Sequence, residues 1–521
     1  MTATRTPKEP SDARLAGLVS TLAWDTDSLE YAFPTSASQY GSGYYRSAAL
    51  PDFYEFSDAQ KEAAVRALDV DSFRTPNAAE GMTIEGFTAL DISTGSASSA
   101  EIRFGNTSSS EVRTATTYYP SGNNVGGDGW YGGKGLDPQV GNSDYKTIMH
   151  EIGHAFGLKH PHEEKDGRPE IPEAYDGYEY TVMTYRSEIG GSESNRAETW
   201  GLPQTFMMLD IAALQYLYGA NYEVNSGDTT YKWKPEDGKT RLDGRVALDP
   251  GDNRIFATIW DGGGNDTYDL SAYETDLQID LNPGESSLFS EEQAAILDWS
   301  DKDRAAGNIY NALLYEGDKR SMIENALGGD GDDKIVGNAK NNVLEGGGGK
   351  DKLEGGQAAD KLKGNSGADK LIGGKGADTL KGGSGKDKLT GGKGADTLGG
   401  GAGDDRFIFD DVEESSGKNV DVIIASDGAK AFQGAGRSGG DKIDVSGIDA
   451  KENKGGDQAF TFVEFNKNKL DEPGRLWVKE IDGKTYVRGT VDKDKGADFE
   501  IIIKDGGQVD AADYIAADFI L

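Results

Sequence analysis

The sequence predicts a multidomain protein: an α+β globular domain, then a parallel β-roll of nonapeptide repeats, then a β-rich C-terminal region. Three observations carry this. The chain has 521 residues, too many for one ordinary core. Its first 220 or so residues mix helical periodicity with short β-type runs. From Gly328 to Ile408 it repeats every nine residues, nine units without a gap.

In the first part, "SDAQKEAAVRALDVDSF" and "SDYKTIMHEIGHAFG" place apolar residues at three-to-four spacing and read as helices. Between them "TIEGFTALDI", "SAEIRFGN" and "RTATTYYP" read as strands separated by Gly, Ser and Asn turns. A third helix, "TFMMLDIAALQYLYG", is expected to stop at Gly219 in a left-handed conformation. Helical periodicity then disappears, which puts a domain boundary near 220 to 250. The expected layout is an N-terminal segment 1–20, an α+β domain 21–250, a roll domain 251–408 and a C-terminal region 409–521.

Composition narrows the function. Asp plus Glu number 90 against 54 Lys plus Arg, a formal charge of -36, which excludes nucleic acid as a partner because phosphate contacts need a basic face. There is no cysteine, hence no disulfide, no thiolate metal site and no cysteine nucleophile. No run approaches the length of a membrane span and no Sec-type leader is visible.

All four histidines fall in "HEIGHAFGLKHPH", residues 150–162. His150 and His154, four apart on a helix, project from one face and can grip one ion, with Glu151 angled toward the same cleft. Gly157 can turn the chain back in a left-handed conformation so that His160 supplies a third nitrogen. Three neutral imidazoles leave a fourth tetrahedral position for water, the arrangement of a catalytic zinc, with Glu151 as general base. His162 is expected to point elsewhere. HExxHxxGxxH followed by Met183 is similar to the metzincin pattern with its Met-turn.

In the repeats, GGxGxDxUx, the glycines permit tight loops, while carbonyls and the Asp side chain offer hard oxygen ligands to calcium. Two nonapeptides make one coil. Ile335, Leu353, Leu371, Leu389 and Phe407 should therefore line one sheet, and Leu344, Leu362, Leu380 and Leu398 the other. Asp333, Asp351, Asp369, Asp387 and Asp405 pair along one edge to hold four ions. Asp360, Asp378 and Asp396 make two more opposite them, where Asn342 and Lys340 leave the remaining site weak or vacant.

These motifs, with "FPTSASQYGSGY", "DIAALQYLYGAN", "IWDGGGNDTYDLSAY", "IENALGG" and the terminal "DFIL", make the chain resemble the serralysins, a bacterial metzincin subfamily. The resemblance implies a secreted zinc endopeptidase of extracellular proteins, monomeric and exported by a type I (ABC) apparatus that reads the C-terminal region, with room for a proteinaceous inhibitor. It implies that Tyr185 ligates or approaches zinc and then stabilises the oxyanion, and that Met183 is an apolar floor beneath the ligands. It assigns Thr114, Ala115, Thr116, Thr117 and Tyr118 to a strand that borders the cleft and pairs with substrate. It also implies two further calcium sites. One uses Asn225, Gly227, Thr229, Gly263, Asp261 and Asp266, and the other Gly264, Asp266, Met322 and Glu324. Asn225 departs from the arginine common in the family. The rival expectation is a non-enzymatic calcium-binding surface or adhesion protein with a degenerate peptidase domain.

Overall fold

The structure, a computed structural model, describes residues 2–41, 44, 50–70, 80–194, 196–300, 303–437, 439–451, 457–463, 472–492, 496–505 and 509–521. The tail of the first expected helix, residues 71–73, lies outside the described residues. The chain divides into two compact units, one of residues 1–268 and 283–323, the other of 269–282 and 324–521.

The first unit is built on a twisted sheet in the order Asp91–Thr94, Ser28–Ala32, Ile102–Thr107, Gly129–Tyr131, Ala115–Thr117, with Phe53–Tyr54 added antiparallel to Ile102–Thr107. The pairs are parallel until the last, where Ala115–Thr117 runs antiparallel to Gly129–Tyr131 at the sheet edge. The turn between those two strands is pinned by Asp128, which accepts from Arg103 (2.9 and 2.7 Å) and from the Tyr44 hydroxyl (2.8 Å). A buried carboxylate needs such partners to stay where it is.

Three longer helices accompany the sheet. Asp58–Leu68 starts from a Ser57/Gln60 capping box. Ser143–Ala155 starts where the Asn142 side chain accepts from the Tyr145 N–H at 2.8 Å. Met208–Tyr218 is apolar almost all round, and Leu209, Ile211, Ala213, Leu214 and Leu217 are buried. Two expectations are corrected. The run Thr83–Ile92 is not one strand: the Thr83 hydroxyl caps Gly86 N–H at 2.8 Å and sets a short helix, Ile84–Phe87, so extended structure begins only at Asp91. Gly219 has positive φ (79°) but ψ of 165°, so it turns the chain out of the helix without a left-handed cap.

Residues 2–20 pack into this unit. Leu18 and Val19 are fully buried, and Leu18 O and Ser20 N hydrogen-bond Lys159 N (2.7 Å) and Gly157 O (2.9 Å).

The second unit is a parallel roll. In one sheet Ile279, Ile335, Leu353, Leu371, Leu389, Phe407, Ile443 and Phe519 stand in register, strand beside strand. In the other, Ala326, Leu344, Leu362, Leu380, Leu398, Ile423 and Ile503 do the same. The repeat side chains of both ladders are 0–1% exposed, each worth roughly 1.5–3 kcal/mol of burial. The register is the one the nine-residue period predicts, and it continues past residue 408. The apolar C-terminus is explained by this continuation, because Phe519–Ile520 is the last strand of the first sheet. At Gly367 the turn has no room for a side chain: φ is +141° and a Cβ would stand 1.4 Å from Gly349 O. Beyond the repeats Arg475–Ile481, Lys484–Thr490 and Phe499–Lys504 form an antiparallel extension of the second sheet.

Candidate active site

The Ser143–Ala155 helix ends at Phe156, and Gly157, at φ +96° with Leu22 O only 2.5 Å from where a Cβ would be, sends the chain back. This brings His160 Nε2 within 3.1 Å of His150 Nε2 and 3.0 Å of His154 Nε2. The three other ring nitrogens are already engaged. His150 Nδ1 meets Val182 O at 2.9 Å, His154 Nδ1 meets Leu158 O at 2.8 Å, and His160 Nδ1 meets Glu163 Oε1 at 3.1 Å. With the Nδ1 protons donated to those acceptors, three Nε2 lone pairs face one another and cannot satisfy one another. Ligands on a tetrahedral zinc stand about 3.3 Å apart, so this donor set fits that ion. Burial holds the rings neutral: it pushes His154 and His160 down to about 3, and His150 well below its usual range.

Glu151 is 6% exposed, and its Oε2 is buried with no hydrogen-bond partner. Burial pushes its carboxyl up to about 7, opposed by the Thr117 hydroxyl and the Lys146 ammonium. The Tyr185 hydroxyl lies 2.8 Å from His160 Nε2, and its ring packs on His150, His160 and His162. Burial and then Glu151 raise its pKa to about 12, so it keeps its proton as a donor. Met183 is fully buried, and its Sδ lies 2.5 Å from the Cβ position of Gly153, between the two helical histidines. His162, expected to point away, instead stacks on His160 with ring centroids 5.5 Å apart.

Thr114, Ala115, Glu151 and Tyr185 line a cleft of about 390 Å³. Ala115–Thr117 is the edge strand, half-buried throughout, and Thr114 O accepts from Gly132 and Gly133. Thr116, Thr117 and Tyr118 follow along the chain, Tyr118 N donating to Asp128 O at 3.1 Å, and of the five residues assigned to this border Thr114 and Ala115 line the cleft.

Sequence reading missed the support beneath the site. Asp210, fully buried, accepts from the Thr181 hydroxyl, Val182 N (2.8 Å) and Met207 N (3.0 Å). It thereby fixes the segment whose Val182 carbonyl orients His150 and whose next residue is Met183. In sequence Asp210 looks like an ordinary first-turn acid of a helix.

In the roll, Oδ1 of Asp351, Asp369, Asp378, Asp387, Asp396 and Asp405 accepts the backbone N–H of the Asp one coil earlier at 2.8–3.0 Å, while Asp333 and Asp360 accept from Leu277 N and Asn342 N. The second oxygens of Asp351, Asp360, Asp369, Asp378, Asp387, Asp396, Asp405 and Asp421 are buried without a partner. At Gly364 a Cβ would meet Asp369 Oδ2 at 2.2 Å and Gly382 O at 2.6 Å, so the carboxylate and a carbonyl share one cradle. Orphaned carboxylate oxygens beside carbonyls fit hard cations such as calcium. Two further aspartates extend the edges: Asp421 and Asp441 accept from Asp396 N and Asp405 N. Their tripeptides "DVI" and "DKI" repeat the motif's D-x-apolar core, which was the available signal. Asn342, by contrast, satisfies itself: its oxygen accepts Asn338 N at 2.7 Å and its amide donates to Glu324 O at 2.7 Å. The first motif acid, Asp333, accepts Gly329 N with its second oxygen at 2.8 Å.

In the first unit, Asp261 and Asp266 are both buried. The first is pushed up to about 9 by burial and then by the second's charge. Thr229 N donates to Asp266 Oδ1, and a Cβ at Gly264 would stand 2.3 Å from Gly227 O. Two buried carboxylates beside carbonyls again fit a cation. Asn225 lies at φ +46°, Gly263 at φ +135°, and Met322 is buried. Glu324 belongs to the other unit, where its carboxylate accepts the Lys340 ammonium at 2.8 Å.

Residues 220–516 match the family described as Peptidase M10 serralysin C terminal. Serralysin of Proteus mirabilis is 33% identical over 56% of each chain, metalloprotease AprA of Pseudomonas entomophila (strain L48) 35% over 61% of each, and metallopeptidase AprA of Pseudomonas marginalis 33% over 61% of each. The matched part thus spans less than two thirds of each of these relatives. No helix among the described residues is long and apolar enough to cross a membrane.

Proposed function

The chain belongs to the serralysin family of M10 peptidases, and on that premise we propose that it is a secreted, zinc-dependent endopeptidase of extracellular proteins whose roll folds on calcium. The observation that carries this reading is the meeting of three imidazole lone pairs beside a buried carboxylate with one oxygen left unpartnered, in a cleft bordered by an edge strand.

His150, His154 and His160 would hold the zinc, with Tyr185 close by. Zinc, when bound, supplies Lewis-acid polarisation of the substrate carbonyl and of the attacking water. The edge strand 114–118 aligns an extended peptide by main-chain pairing, which fixes the scissile carbonyl against the helix. Glu151 takes the proton of the attacking water and delivers it to the leaving amine. Tyr185, protonated at neutral pH, donates to the carbonyl oxygen as charge develops there. Gly157 and Met183 position the ligands. Asp210 steadies the segment beneath them.

We assign the peptidase domain to 21–250 with the N-terminal segment 1–20 packed on it, the calcium-binding domain to 251–408, of which 251–268 and 283–323 belong to the first compact unit, and the C-terminal region with its export signal to 409–521. The aspartate edges and the Asp261/Asp266 pair would hold calcium. Export through a type I apparatus suits a roll whose carboxylates keep it unfolded where calcium is scarce.

Casein digestion by zinc- and calcium-loaded protein, abolished by a chelator and restored by zinc, is the expected result. A loaded protein that leaves casein and unstructured peptides intact would reject the enzyme in favour of a calcium-binding surface protein.

A further inference from the structure

The cleft contains a feature that general proteolysis does not need. Lys146 lies four residues before His150, on the same helix face, and is 7% exposed. Its ammonium donates to Thr184 O at 3.1 Å and stands 4.9 Å from the centre of the Tyr178 ring. Lys146 and Tyr178 both line the cleft with Glu151 and Tyr185. Among the described residues no carboxylate is in ion-pair contact with this ammonium, and Asp210 and then Glu151 favour its charge only from farther away. The other acid lining the cleft, Glu193, is bound to Arg186 at 2.9 Å. An exposed second lysine, Lys134, stands on the same cleft.

Lysine is almost never buried without a counter-charge, because desolvation of the ammonium is costly. A carbonyl, a ring face and the more distant charges of Asp210 and Glu151 offset part of that cost, and an anion entering the cleft in direct contact with the ammonium would offset more. Burial pulls the lysine's pKa down to about 8, so it still carries its charge at neutral pH.

We infer that Lys146 is a specificity-determining residue that selects peptides bearing Asp or Glu beside the scissile bond, the substrate carboxylate pairing with its ammonium. The inference rests on the peptidase reading above. The competing role is purely positional: through Thr184 O, Lys146 fixes the residue before Tyr185 and so affects every substrate alike.

The test uses full-length protein loaded with zinc and calcium, and quenched peptides that differ only by Glu, Gln or Leu at each residue flanking the scissile bond. The readout is the ratio of kcat/KM for Glu over Gln. It is internal to each variant, so a displaced Tyr185 cancels out. At one flanking position the natural protein should prefer Glu by about 10- to 100-fold, and Lys146→Met should bring that ratio close to 1 while Lys146→Arg retains most of it. A second arm measures binding of the same peptides to the Glu151→Ala protein, with and without Lys146→Met, by fluorescence anisotropy. It should give the same ordering. A ratio near 1 at every position in both arms, or one that survives Lys146→Met, overturns the inference. Failure to cleave any peptide would instead overturn the peptidase reading, with the binding arm still deciding the role of Lys146.

Discussion

Removing calcium should unfold the roll, and the structure sets the scale. Among the described residues, eight aspartate oxygens of the roll edges are buried without a partner. A buried unsatisfied acceptor costs about 1–3 kcal/mol, so together they cost about 8–24 kcal/mol without cations, against the 5–15 kcal/mol that holds a typical domain folded. Proton uptake is the alternative to calcium, and its sign can be worked out. Burial raises Asp351 to about 8 and Asp360, Asp387 and Asp396 to about 7, from an ordinary 3.8. Folded-state values above the unfolded value mean that the fold binds more protons, so ion-free stability falls as pH rises from about 4 to about 8. Far-UV circular dichroism of the full chain, carrying Glu151→Ala against autolysis, should in excess chelator show less β-structure at pH 8 than at pH 5. At pH 8 calcium should restore it steeply, because each site is shared by neighbouring coils. Asp369→Ala should raise the calcium midpoint more than Asn342→Ala, since Asn342 already fills its own hydrogen bonds. A full β-spectrum in chelator at pH 8 would refute the reasoning.

Three further outcomes are expected. Tyr185→Phe should lower kcat about ten- to a thousandfold with little change in KM, because the hydroxyl acts as charge develops; steady-state kinetics on one peptide checks this. Asp210→Ala should weaken zinc about 10- to 100-fold by loosening the Val182 carbonyl that orients His150, as read by competition with a chromophoric chelator. Leu371→Ala, at a fully buried rung, should cost about 2–5 kcal/mol in denaturant unfolding with calcium present.

Regular spacing made parts of the molecule legible. The nine-residue period specified which side chains share a ladder, since any slip would turn the leucines outward. The spacing of His150, His154 and His160 around a glycine likewise anticipated that their nitrogens would meet. What escaped depends on contacts distant in sequence. The roll continues through Asp421 and Asp441, but the step from the preceding motif aspartate grows to 25 and 36 residues, so periodicity alone loses it. In the run from Thr83 a single hydroxyl cap outweighed the strand pattern. Lys146 and Asp210 look like ordinary helical charges until tertiary packing buries them, one against Thr184 and Tyr178, the other beneath Val182.

In the proposed mechanism Glu151 moves the proton in a reaction that His150, His154 and His160 make possible by holding zinc. Zinc content and peptide kcat/KM, measured on the same samples of natural protein and Glu151→Ala, decide whether it does. About one zinc per chain in both, with activity reduced at least about a thousandfold in the variant, is the predicted result. A variant that cleaves at near-natural rates, or a natural protein that cleaves with no zinc bound, would contradict it.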